Sequence, residues 1–137
     1  MTYRFLPHTA DVRVAVEAPT FEALLAESAA VLRELLAGTS EVAEREERWW
    51  RAEGGEHAEL FGALLRELLF QFHSDGFIPR TVIVDEVRRG AARGRAFGER
   101  FDQARHEPQP EVKAVTRHGL VAEPSARGWR AEVVFDV

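Results

Sequence analysis

Two apolar stripes with helical spacing, both in the first half of the chain, constrain the fold more than any other feature. The first is Phe21, Leu24, Leu25, Ser28, Val31, Leu32, Leu35 and Leu36. The second is Leu60, Phe61, Leu64, Leu65, Leu68, Leu69 and Phe72. Apolar residues recurring every three to four positions line one face of an α-helix, and that face has to be buried. Thr20 stands where an N-cap belongs, Glu22 follows in the first turn, and Gly38 stops the pattern after about five turns. The second helix runs from His57 to His73, between the breaker Gly54-Gly55 and the turn Ser74-Asp75-Gly76-Phe77.

The remaining apolar segments read as strands. Residues 12–17 alternate valines with other residues, and 42–53 are extended, with Trp49 and Trp50 on opposite faces. Residues 81–87 and 90–101 pair across a hairpin near Arg89-Gly90. After a loop marked by Pro108 and Pro110, residues 111–123 and 130–137 form two more strands joined by the turn at 124–128. In the last strand Val133, Phe135 and Val137 share one face, and Val134 and Asp136 the other. The order is β-α-β-α-β-β-β-β. Early helices and short turns between late strands predict an α+β fold, a mainly antiparallel sheet with two helices packed on one face. The 137 residues suffice for a single domain with one core.

Composition removes several function classes. The absence of cysteine excludes disulfides, zinc–thiolate sites and thiol nucleophiles. No apolar run approaches the roughly 20 residues of a membrane span. The opening residues lack a basic segment followed by an apolar run, so a cytoplasmic protein without a membrane partner is expected. A net charge of −5 argues against strong direct nucleic-acid binding, although six arginines gather within 88–105. Neither a phosphate-cradling glycine loop nor a nucleophile-elbow serine is present. His57 and His73 lie too far apart on one helix to share a metal.

Three spots remain. His8-Thr9-Ala10-Asp11 leads into the first strand. Residues 111–118 carry Lys113, the only lysine beside seventeen arginines, together with Arg117 and His118. At the other end, Asp136 precedes Val137 and its α-carboxylate. Carboxylate oxygens are hard ligands suited to calcium or magnesium, and Asp11 completes part of a shell if the first and last strands are neighbours. Equally, Asp11 serves as a turn residue and Asp136 as a surface residue at a frayed end.

Taken in order, "HTADVRVAVEAPTFEALLAESAAVL", "LLRELLFQF", "GERFD", "EVKAVTRHGLVAE" and "WRAEVVFDV" resemble the archease family over nearly the whole chain. One departure is Arg117, where the family usually has tyrosine. The resemblance implies a fold related to the strand-helix-strand-strand module. It also implies a protein cofactor rather than an enzyme. Such a protein promotes guanylylation and multiple turnover of an RtcB-type RNA ligase in tRNA splicing and RNA repair. It further implies a metal site, with calcium first and magnesium or manganese as alternatives. Carried over, the ligands are Asp11, Asp136 and the Val137 carboxylate, and Lys113 is the functional lysine of the tip. His8 and His118 flank this site in sequence, where either ligates a softer metal or hydrogen-bonds an aspartate; the second role is favoured because histidine is a minority ligand for calcium. Two other readings stay open: a chaperone-like modulator of a tRNA-modifying enzyme such as a methyltransferase, and a metal-dependent hydrolase.

Overall fold

A computed structural model describes residues 2–6 and 11–137. The elements are β1 (Thr2–Leu6), β2 (Asp11–Ala18), α1 (Phe21–Ala26), α2 (Ser28–Ala37), β3 (Glu46–Glu53), α3 (His57–Asp75), β4 (Phe77–Arg88), β5 (Ala91–Arg100), β6 (Ala114–Ser125) and β7 (Gly128–Asp136). The fold is α+β, and every strand pairing is antiparallel.

The strands divide between two sheets, where the periodicity suggested one. Four strands run in the order β1-β2-β7-β6 and three in the order β3-β5-β4. The helices lie between them. α3 packs on β6 of one sheet and on β3 and β4 of the other, and α1 reaches β2, β7 and β4. Leu60, Phe61, Leu64, Leu65 and Leu68 of α3 are therefore fully enclosed, and both sheets contribute to one connected core with Val14, Val16, Trp50, Phe77, Val133 and Phe135. Each sheet turns one face inward and the other to solvent. Trp50 is 3% exposed and its neighbour Trp49 69%.

Local chemistry explains the element ends. The Thr20 hydroxyl accepts the Ala23 N–H at 3.1 Å, satisfying a donor that an α-helix start leaves orphaned. The first helical stretch is interrupted at Glu27, which keeps helical dihedrals, so α1 and α2 continue one another in sequence. α3 ends on Gly76, whose φ of 84° is open to glycine and strained for other residues, and its N–H returns to the Phe72 carbonyl.

Several boundaries differ from expectation. β1 was not expected: its Tyr3 and Phe5 lie edge to face, and the strand pairs along β2. β3 begins at Glu46 rather than 42, and β6 at Ala114 rather than 111, because the preceding residues turn away to contact a buried glutamate and the end of α3 (below). β4 begins at Phe77, directly after the α3 cap. Val137 falls beyond the last paired residue of β7 and is 37% exposed, instead of sharing the buried face of Phe135.

Candidate functional site

β2 and β7 are the two central strands of the four-stranded sheet, and their register places Asp11 directly opposite Asp136. Asp136 in turn faces Ala114 of β6. The first residue of β2, the last of β7 and the first of β6 thus share one row at one end of the sheet. Directly opposed residues on antiparallel strands have Cβ atoms about 4.5–5.5 Å apart. Alternation along β2 and β7 puts both aspartates on the face away from Val14, Val133 and Phe135, which are buried. Two like charges set opposite each other repel unless a cation or a donor lies between them.

Lys113 joins this row through its backbone. Its N–H donates to the Asp136 carbonyl at 2.7 Å. The carbonyl of the same peptide unit, that of Val112, accepts from His73 Nε2 at 2.8 Å. One peptide group therefore ties the last turn of α3 to the end of β7. His73 sits in the last turn of α3, as its sequence position predicts, and its ring also fixes the backbone that carries Lys113.

The other expected site residues are less close. β6 pairs in register through Thr116, opposite Val134, and resumes at Val121, opposite Glu132, which leaves 117–120 unpaired. His118 stands in that segment, exposed, between the rows of Val134 and Glu132 and so two to four β7 residues along from the Ala114–Asp136 row. Arg117 lies there as well, close enough to Arg66 that burial and this second guanidinium lower the Arg66 pKa. His8 falls outside the described residues. Farther along the aspartates' face, Arg13 and Arg130 both donate to Glu132, Arg13 at 2.5 Å, and these bonds, Arg130's first, hold the Glu132 carboxyl below its ordinary range.

A second polar cluster escaped the sequence reading. Glu99, on β5, is 4% exposed. Its Oε2 accepts the Ala43 N–H at 2.5 Å and His106 Nε2 at 3.1 Å, and its Oε1 faces Arg105 and, at 3.5 Å, Arg45. His106, equally buried, accepts the Asp102 N–H on Nδ1, so the ring proton on Nε2 is the one given to Glu99. Burial pushes the Glu99 carboxyl up, yet the Ala43, Arg105 and His106 hydrogen bonds outweigh it and leave the pKa lowered. The only sequence signal was its place in "GERFD"; alternation puts Glu99 on the outward face, and the residues before β3 and the loop after β5 cover it.

The chain matches the archease protein family model over residues 3–137. It belongs to the archease family. An archease of Methanopyrus kandleri is 37% identical over 140 residues, covering 100% of both chains. That of Pyrococcus furiosus is 30% identical, covering 95% of this chain and 94% of its own. A solution structure of a Methanobacterium thermoautotrophicum protein superposes with a TM-score of 0.82 at 28% identity, covering 98% of each chain. A Thermotoga maritima crystal structure, described as an archease and possible chaperone, shares the fold with a TM-score of 0.66 at 21% identity, covering 96% of this chain and 94% of its own. Archease membership thus rests on the full length, including both chain ends that form the aspartate row.

The donor set at that row suits a hard cation in part. The Asp11 and Asp136 side chains are oxygen ligands, appropriate to calcium, magnesium or manganese and not to a soft metal. Among the described residues no group of three or more His, Cys, Asp or Glu side chains converges as a metal cage. A cation held here would keep open positions for water or for a partner's oxygens.

Proposed function

We propose that this archease is a protein activator of an RtcB-type RNA ligase and acts through the Asp11–Asp136 end of its four-stranded sheet. The observation that carries the reading is the register: Asp11 faces Asp136, and the backbone N–H of Lys113 donates to the Asp136 carbonyl. Family membership supports the partner class.

Asp11, Asp136 and the Val137 carboxylate would hold the cation, calcium first and magnesium or manganese by the same oxygens. When bound, it supplies positive charge to phosphoryl oxygens at the ligase's nucleotide site. The chain's own contribution is placement. Central strands of a packed sheet hold the two carboxylates in fixed register, so little conformational freedom is lost on docking. Lys113 adds a compact cation, the one basic residue in this chain able to act as a point charge rather than a planar fork. Presented together, they favour guanylylation of the ligase and release it for further turnovers.

The test adds the protein to its own organism's ligase and follows guanylylation under single- and multiple-turnover conditions. Asp11→Ala abolishes stimulation while circular dichroism stays unchanged; full stimulation by that variant refutes the reading. Asp136→Ala weakens calcium binding by the isolated protein, and unaltered affinity refutes the ligand assignment. A second reading is a chaperone-like role toward a tRNA-modifying enzyme such as a methyltransferase; the Thermotoga maritima archease is described as a possible chaperone, with no client named. Recovery of a methyltransferase instead of a ligase from the source cell selects it. Turnover of RNA ends by the isolated protein selects a metal-dependent hydrolase.

A further inference from the structure

Away from the aspartate row, three arginines from three elements border one open cleft of about 660 Å³. Arg33 comes from α2, Arg80 from β4, and Arg105 from the loop after β5. Their placement is built rather than incidental. Arg80 is the residue skipped where the β4–β5 register shifts between Pro79 and Thr81. A bulge re-aims its side chain and frees its carbonyl from the ladder. That carbonyl accepts from Arg33 Nη1 at 2.7 Å, fixing one corner of the Arg33 guanidinium and leaving its other donors available. Arg105 is anchored by the buried Glu99 carboxylate, which the Arg45 guanidinium and His106 also share.

Apart from Glu99, the described carboxylates near the cleft sit beside its guanidiniums without pairing with them: Glu27 lies within electrostatic reach of Arg33, and Glu44 accepts the Thr81 hydroxyl. Among the described residues neither Arg33 nor Arg80 has a carboxylate within ion-pair distance, and Glu99 is one charge shared between two guanidiniums. Glu41 is the one carboxylate among the lining residues. Ser40 also lines the cleft, and since its oxygen accepts the Glu107 N–H at 2.8 Å, its proton is left to donate. The Thr81 hydroxyl is occupied by Glu44.

We propose that this cleft binds a phosphate-bearing small anion through Arg33, Arg80 and Arg105. Guanidinium forks match phosphoryl oxygens in pairs, and three of them approaching from separate elements suit a ligand with several charged oxygens. The cleft is within the size range of small-molecule sites. Among the described residues no aromatic side chain lines the cleft, so a base would find only guanidinium planes to stack on. The chemistry recognised is the phosphate chain itself, free or carried by a nucleotide.

The experiment titrates the full chain with tripolyphosphate and, separately, with adenosine triphosphate, read by calorimetry and by the NMR signals of arginine Nε–H groups. Saturable binding of both at similar affinity, with Arg33, Arg80 and Arg105 signals moving, is the expected result. Arg80→Gln, on an exposed side chain, weakens binding by at least about tenfold with an unchanged melting temperature, and Arg80→Lys restores part of it. Absence of saturable binding of tripolyphosphate at millimolar concentration overturns the proposal. Binding that Arg80→Gln leaves unchanged overturns it too, as does nucleotide binding with no displacement of the three arginine signals. Neither probe involves the ligase or a divalent cation, so the result is independent of the reading of the aspartate row.

Discussion

Replacing Glu99 by glutamine tests whether the buried carboxylate holds the loop after β5 in place. Four groups converge on it: the Ala43 N–H, His106 Nε2–H, and the guanidiniums of Arg105 and Arg45. All are donors, so a neutral amide offers one acceptor oxygen and turns its own NH2 toward donors. Removing one partner of a buried charged network costs about 3–5 kcal/mol. With an unfolding entropy of about 2.1 cal/mol/K per residue, 137 residues give roughly 0.3 kcal/mol/K, so the melting temperature falls by about 10–17 °C. The pH dependence sharpens the test. Because the Glu99 pKa is lowered in the folded state, its contribution is complete above the ordinary glutamate value of about 4.3 and is lost as pH falls through the folded value. Urea unfolding of both proteins at pH 7 and at successively lower pH below about 4.5 should show the difference between them narrowing. A melting temperature lowered by less than about 3 °C, or a difference that stays constant into acid, refutes the argument.

Two further perturbations address the scaffold. A Cβ added at Gly94 would stand 1.9 Å from the Ile83 carbonyl oxygen and 2.7 Å from Trp50 Cζ2. Gly94→Ala should therefore destabilise by about 3 kcal/mol or more and shift the Trp50 fluorescence; a melting temperature within about 2 °C of the parent counts against the contact. His73→Leu removes the hydrogen bond to the Val112 carbonyl, at a cost of about 1 kcal/mol. Amide exchange at Lys113 should accelerate roughly fivefold, since its peptide loses one of two anchors, and unchanged protection there would show that β7 alone positions it.

Periodicity and turn residues determined the two helical regions, the Thr20 cap and Gly38 stop of the first, and the two late hairpins, β4 with β5 and β6 with β7. Thr20 and Gly38 sit where expected because an N-cap hydroxyl and a positive-φ glycine answer needs of the local backbone. The class, α+β with antiparallel pairing, follows from element order. How the strands divide was not local information: an apolar stripe states that a helix face is buried, not whether one sheet or two bury it. α3, enclosed by both sheets, settles that only in three dimensions.

The site shows the same division. The chemistry of Asp11, Lys113 and Asp136 was legible as residue types at chain positions 125 apart at the extremes. Their shared row depends on β2 and β7 being neighbours in register, a long-range pairing that no window of sequence contains. His118 shows the limit from the other side: near Lys113 in sequence, it is carried away by the extended strand and its unpaired segment. Glu99 and Arg80 were invisible for a related reason. The burial of one comes from the segment before β3, far away in the chain, closing on it with the loop after β5, and the aim of the other from a bulge in its pairing with β5.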